Sequence, residues 1–149
     1  MKILLLGNTG QLGWELQRCL PPLGEVHGLD YPQIDLANPE TLREVIRAYK
    51  PDTIVNSTAY TAVDVAESKS DLAYAINAKA SAVMAEEAKT LNATLIHYST
   101  DYVFDGAKGS TYIETDATNP LNVYGASKLA GEQAIQSVAG SYLIFRTAW

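Results

Sequence analysis

Cysteine occurs once, at Cys19. Neither an internal disulfide nor a cysteine-based metal site can therefore form within the chain. Basic residues are scarce: 11 Lys and Arg stand against 17 Asp and Glu, a formal net charge of −6. A surface of that sign repels phosphate backbones and argues against general nucleic-acid binding. No apolar run approaches the ~20 residues needed to cross a bilayer. The opening Met1-Lys2-Ile3-Leu4-Leu5-Leu6-Gly7 has no long apolar core and no A-x-A-like cleavage site, so it does not read as a secretory leader. The expectation is a cytoplasmic protein. Internal repeats and low-complexity stretches are also missing. What remains is an ordinary globular balance, 47% hydrophobic and 19% charged, over 149 residues, the length of one domain.

Short apolar runs alternate with longer helical patterns. Ile3 to Leu6 is continuously apolar and ends at glycine, as a strand buried on both faces does. Leu12, Leu16, Cys19 and Leu20 follow at helical spacing, and Pro21-Pro22 stop that helix. Further strands are expected at Glu25–Leu29, Thr53–Asn56, Thr94–Tyr98 and Tyr142–Phe145. Asn38-Pro39 is a cap with proline at the first helical position, and the helix it opens presents Leu42, Val45, Ile46 and Tyr49 on one face. An alanine-rich helix is predicted from about Ser70 to Leu91, and another from about Asn122 to Val138. The fold class is therefore α/β: a doubly wound, Rossmann-type parallel sheet with helices on both faces. The strand order expected for the first part of such a sheet is 3-2-1-4-5, with Tyr142–Phe145 at an edge. Ligands bind beyond the carboxyl ends of the strands, after Leu6, Leu29, Asn56 and Tyr98.

Between the first strand and helix lies Gly7-Asn8-Thr9-Gly10-Gln11-Leu12-Gly13. Gly7 allows the tight turn, Gly10 lets a pyrophosphate approach the helix N-terminus, and Gly13 lets the helix pack on the sheet. The spacing is G-x-x-G-x-x-G, and its place between strand and helix makes dinucleotide binding the reading. Asp30 ends the second strand near the offset of the acid that binds an adenosine ribose, which favours NADH over NADPH. Asp35 and Leu36 could flank the adenine, or serve as a loop aspartate and a core leucine.

Tyr124-Gly-Ala-Ser-Lys128 sets a phenol and an ammonium four residues apart, on one helix face. A free phenol titrates near ~10, and a neighbouring ammonium lowers that value. Such a tyrosine can protonate a carbonyl oxygen or deprotonate a hydroxyl. Ser99, Thr100 and Asp101 end the fourth strand, where a hydroxyl can hydrogen-bond a substrate carbonyl. Sequence alone leaves Ser99 and Thr100 as alternatives. His27 and His97 lie inside strands and read as packing residues.

These stretches resemble the dTDP-4-dehydrorhamnose reductase family of the extended short-chain dehydrogenase/reductases. The residues that carry the likeness are Gly7–Gly13, Asn56-Ser57-Thr58-Ala59-Tyr60-Thr61-Ala62-Val63-Asp64, His97-Tyr98-Ser99-Thr100-Asp101-Tyr102-Val103-Phe104-Asp105-Gly106, Asn119-Pro120-Leu121-Asn122-Val123-Tyr124-Gly125, Arg146-Thr147 and Trp149. The resemblance implies a catalytic set of Thr100, Tyr124 and Lys128. It implies that Gly7, Gly10, Gln11, Leu12, Gly13, Asp30, Asp35, Leu36, Ala59, Tyr60, Thr61, Tyr124 and Lys128 hold NADH or NADPH. Thr100, Asp101 and Trp149 would contact a dTDP-sugar.

The implied reaction is reduction of the C4 keto group of dTDP-4-dehydro-β-L-rhamnose to dTDP-L-rhamnose. A non-catalytic NAD(P)-binding regulatory subunit, or another nucleotide-sugar reductase or epimerase, stands as the alternative. Dehydration is disfavoured because Asp101-Tyr102, not Asp-Glu, follows Thr100. Glu15 matches a glutamate that some members use for Mg²⁺ at a dimer interface. It is read here as a surface glutamate, with Mg²⁺ expected only in a full-length homodimer. Because an apolar strand runs straight into the last residues, residues 1–149 are expected to be the NAD(P)-binding domain of a longer protein whose substrate domain is missing.

Overall fold

The structure is a computed structural model that describes residues 1–148. Trp149, and the substrate contact expected of it, lies outside the described residues. Five strands form one parallel sheet among them: β1 (Lys2–Leu6), β2 (Glu25–Leu29), β3 (Thr53–Asn56), β4 (Thr94–Thr100) and β5 (Ser141–Thr147). The helices are α1 (Gln11–Cys19), α2 (Pro39–Tyr49), α3 (Val63–Ala66), α4 (Ser70–Tyr74), α5 (Ala80–Leu91) and α6 (Val123–Val138). The helix expected from Ser70 to Leu91 is continuous but carries a π turn at Ala75–Lys79. The short α3 has no counterpart in the sequence expectation.

The sheet order is β2-β1-β3-β4-β5, which corrects the expected 3-2-1-4-5. The handedness of crossovers gives the reason. A third strand outside β2 would put α2 on the same face as α1. Instead α2 packs on α5: Leu42 and Ile46 share a core with Val83, Met84 and Ala88. Arg43 and Arg47 grip Glu87, whose side chain is 2% exposed, at 2.7–2.8 Å. That carboxylate sits below its usual range because of the hydrogen bonds from Arg47 and Arg43. With α2 held there, the chain returns across β1 and β3 pairs on β1's other side, Leu6 opposite Asn56. The strand order thus reverses between β1 and β3, where ligands of open α/β sheets bind.

Alternation along the strands divides the sheet into two faces. Leu4, Leu6, Ile54 and Leu95 pack with α2, α5 and Ile135 of α6. Ile3, Leu5 and Val55 pack with Leu16 and Leu20 around α1. The two-faced arrangement matches expectation, but unevenly. Among the described residues α1 is the helix that covers the second face, and beyond it Leu143 and Phe145 of β5 are 51% and 45% exposed. As expected, β5 is an edge strand.

Candidate active site

The glycine turn folds as its residues require. Gly7 has φ +86°, the left-handed region that favours glycine, and its N–H donates to the Leu29 carbonyl at 2.8 Å. A Cβ on Gly13 would stand 1.9 Å from the Gly7 carbonyl oxygen, so only glycine lets α1 approach this closely. Gly10 is the N-cap of α1, with no side-chain cap and no acidic residue in the first turn. The free N–H groups of Gln11, Leu12 and Gly13 are left to an anion. Beside them, Asn8 Oδ1 is buried without a hydrogen-bond partner, while its Nδ2 donates to Gln17 at 2.9 Å. An orphaned acceptor, an uncapped helix end and a Cβ-free cradle together fit a dinucleotide.

Asp30 does more than the sequence suggests. Its Oδ2 accepts from the Thr9 N–H and hydroxyl, and its Oδ1 accepts from the Tyr31 N–H at 2.8 Å. It clamps the glycine turn to the end of β2, with lone pairs left for a ribose hydroxyl. Asp35 Oδ1 accepts from the Ala37 N–H at 2.9 Å, and Leu36 packs on the main core. After β3, the Tyr60 N–H donates to Asn77 Oδ1 at 2.8 Å and the Tyr60 carbonyl accepts from Asn77 Nδ2 at 3.3 Å. Nδ2 also donates to Ser127 at 2.9 Å. Asn77 lies in the π turn, so this irregularity ties the Ala59–Thr61 loop to α6, as such bulges often do at functional sites.

Thr100 ends β4, and Tyr124 and Lys128 lie one turn apart on α6, which packs against that strand. Asn122 Oδ1 accepts from the Gly125 N–H at 2.7 Å, and Glu67 Oε1 accepts from the Val123 N–H at 2.8 Å. This double cap fixes the first turn of α6, which carries Tyr124. Alternation separates the two hydroxyls that sequence left open. Ser99 turns inward and donates to Glu132 at 2.5 Å. Thr100 accepts from the Tyr102 N–H at 3.2 Å and neighbours the Tyr124 phenol. The Tyr102 ring meets the Tyr124 ring edge-on, centroids 5.5 Å apart.

One electrostatic expectation is corrected. Burial pushes the Tyr124 phenol above its usual value near 10; the Thr100 hydroxyl draws it down and Asp101 pushes it further up. Lys128 does not lower it here, because its Nζ is turned away. It donates to the Tyr98 carbonyl at 2.7 Å and lies 3.5 Å from His97 Nε2. Lys128 is 2% exposed, and that burial lowers it to about 8. His97 is fully buried within the same polar cluster, not simply packed among apolar neighbours.

Sequence reading also passed over Glu132. It accepts from Ser99 and takes Arg146 side-on, Nη2 at 2.6 Å and Nε at 3.0 Å. The signal was its i+4 spacing from Lys128. A cavity of about 730 Å³ opens beside these groups, bordered by Asp101, Tyr102, Asn122, Glu132 and Arg146, and its lining does not include Thr100, Tyr124 or Lys128. Glu15, the Mg²⁺ candidate, pairs with Arg18 on the exposed side of α1 at 3.7 Å. Among the described residues no three His, Cys, Asp or Glu side chains cluster to hold a metal, and no helix is long and apolar enough to cross a membrane.

Residues 1–149 match the family described as RmlD substrate binding domain. The chain belongs to this family. It is 53% identical to dTDP-4-dehydrorhamnose reductase of Escherichia coli (strain K12), covering 100% of this chain and 51% of that protein. A crystal structure of a dTDP-4-dehydrorhamnose reductase from Clostridium acetobutylicum superposes with TM-score 0.96 at 40% identity, over 100% of this chain and 54% of that one. The Bacillus anthracis dTDP-4-dehydrorhamnose reductase, in complex with NADP, gives 0.95 at 38%, over 99% and 53%. The RmlD-family chain thus spans about half the length of the relatives it matches.

Proposed function

We propose that this chain is the cofactor-binding half of an NAD(P)H-dependent dTDP-4-dehydrorhamnose reductase. The observation that carries the reading is the Thr100 hydroxyl beside the Tyr124 phenol, with Lys128 one turn along the same helix, in a fold that also presents an uncapped helix N-terminus and a glycine cradle. The reductases named above support the substrate, dTDP-4-dehydro-β-L-rhamnose.

In this reading Gln11, Leu12 and Gly13 hold the pyrophosphate by their N–H groups. Asp30 takes the adenosine ribose, Asp35 and Leu36 flank the adenine, and the Ala59–Thr61 loop covers the middle of the dinucleotide. A bound nicotinamide supplies the hydride. Thr100 hydrogen-bonds the C4 carbonyl, and Asp101 and Trp149 hold the sugar nucleotide. Tyr124 gives its phenolic proton to the oxygen as negative charge develops there. Lys128, swung from Tyr98 toward the ribose as an ammonium, favours the resulting phenolate. NADH and NADPH both remain candidates: Asp30 favours the first, and a relative binds NADP. A homodimer and its Mg²⁺ belong to the longer protein.

The test is turnover. Purified protein carrying this chain is mixed with the keto-sugar nucleotide and either reduced nicotinamide, and absorbance of the reduced cofactor is followed. The reading expects its loss in step with formation of dTDP-L-rhamnose. Tight cofactor binding without turnover would instead identify a regulatory subunit.

A further inference from the structure

A line of buried polar groups runs behind the site from β3 to α6. Asn56, 1% exposed, takes the Thr58 N–H at 3.0 Å and the Thr58 hydroxyl at 2.5 Å on its Oδ1. The backbone N–H of Thr58 can only donate, so an oxygen stands at that position, the orientation of the amide is set, and Nδ2 faces His97 Nδ1 at 2.9 Å. An amide nitrogen only donates. His97 Nδ1 must therefore be the acceptor, and a neutral ring then carries its proton on Nε2. That N–H points at Lys128 Nζ, 3.5 Å away, while Nζ gives a hydrogen to the Tyr98 carbonyl at 2.7 Å.

A lysine ammonium has three donors and no lone pair, so it would meet the imidazole N–H hydrogen to hydrogen. A neutral amine satisfies every partner: one N–H to Tyr98, its lone pair to His97. Other charges do not reverse this. Glu132, one turn along α6, favours the ammonium but is occupied by Arg146 and Ser99. Asp101 and Tyr102 act on Tyr124, and Asn77 is committed to Tyr60 and Ser127.

We propose that Asn56 and His97 are positioning residues for Lys128: they present an N–H to its nitrogen and shift its balance from ammonium toward the neutral amine retracted against Tyr98. The proton it gives up goes to solvent. The amide of Asn56, fixed by Thr58, thereby biases the protonation of a lysine on another element. The functional half of this inference rests on Lys128 acting in the reaction; the hydrogen-bond half does not.

The experiment is a long-range ¹H–¹⁵N correlation spectrum of the chain labelled with ¹⁵N-histidine, which distinguishes the two tautomers directly. His97 is expected as the Nε2–H form, unchanged through the range near 6.5 where free imidazole titrates. An Nδ1–H form, or ordinary titration, overturns the proposal. Asn56→Asp replaces the donor with an acceptor of the same shape. In that variant His97 should carry a proton on Nδ1, and the Lys128 titration should move up by about one unit or more. A His97 still in the Nε2–H form would be contrary. If Asn56→Asp does not fold, the parent spectrum alone decides.

In the whole protein the same substitution should move the alkaline limb of the turnover profile upward by the shift seen at Lys128. A limb that stays in place overturns the functional half. Unchanged turnover of Lys128→Met would instead remove Lys128 from the reaction and leave the tautomer result standing.

Discussion

Glu132 joins three elements at the point where the reacting groups meet, and its removal has a calculable cost. Its side chain is 2% exposed, and it holds Ser99 on β4 and Arg146 on β5 from its place on α6. Truncating one partner of a buried ion pair costs ~3–5 kcal/mol, because the other charge is left uncompensated. The Arg146 side chain is 21% exposed, so it can recover part of its hydration, which places the pair at the low end. Ser99, left without its acceptor, adds ~1 kcal/mol. Glu132→Ala should therefore lose ~3–4 kcal/mol, a fall in melting temperature of roughly 10 °C for a domain of this size. Glu132→Gln keeps the shape and one acceptor and should lose about half as much. Urea melts of both variants, of Arg146→Ala and of the double variant make the assay. The double variant should recover at least ~1 kcal/mol relative to the sum of the singles. A Glu132→Ala chain within ~1 kcal/mol of the parent, or strict additivity, would refute the structural role.

Asp30→Ala should weaken NADH more than NADPH, since it removes a ribose acceptor and a charge that repels a 2′-phosphate. It should weaken both to some degree because Thr9 is released; titration calorimetry showing an unchanged ratio would count against Asp30 as selector. His97 is held neutral by burial, well below its usual 6.5. The unfolded chain alone takes up that proton, so stability is intact above pH 6.5 and falls by ~1 kcal/mol per unit below it, until the folded-state value is reached. Lys128, lowered from 10.5 to about 8, acts at the other end: stability rises with pH between those values. Denaturant melts across pH should show both trends, and His97→Gln should flatten the acid one. The 149-residue chain alone is expected to self-associate through β5, whose open edge lies beside the exposed Leu143 and Phe145; a monomer in sedimentation at high concentration would contradict that.

Local chemistry made much of the fold legible. Apolar patterns stopped by Gly7 and by Pro21-Pro22 mark strand and helix limits, and Asn38 caps α2 through the N–H groups of Glu40 and Thr41 as its sequence indicates. Strand order was not legible. It depends on α2 settling on α5, through Arg43 and Arg47 with Glu87, 44 and 40 residues apart. The glycine turn and the Tyr124–Lys128 spacing were readable because each is a short pattern with one physical use. The polar groups behind them were not. Asn56, Asn77, His97 and Glu132 meet across elements, and burial, which sequence spacing does not reveal, is what gives each its force. Burial also reversed the expectation for Tyr124: with Lys128 bonded to Tyr98, the low-dielectric surroundings govern the phenol.

Tyr124 bears the central claim, as the group that protonates the carbonyl oxygen. The direct measurement is turnover of Tyr124→Phe in the protein that carries this chain, with cofactor affinity titrated alongside. A lost general acid costs ~10²–10⁴-fold in rate. The expected result is a fall of that size with cofactor affinity nearly unchanged; turnover close to the parent rate would contradict the assignment of Tyr124.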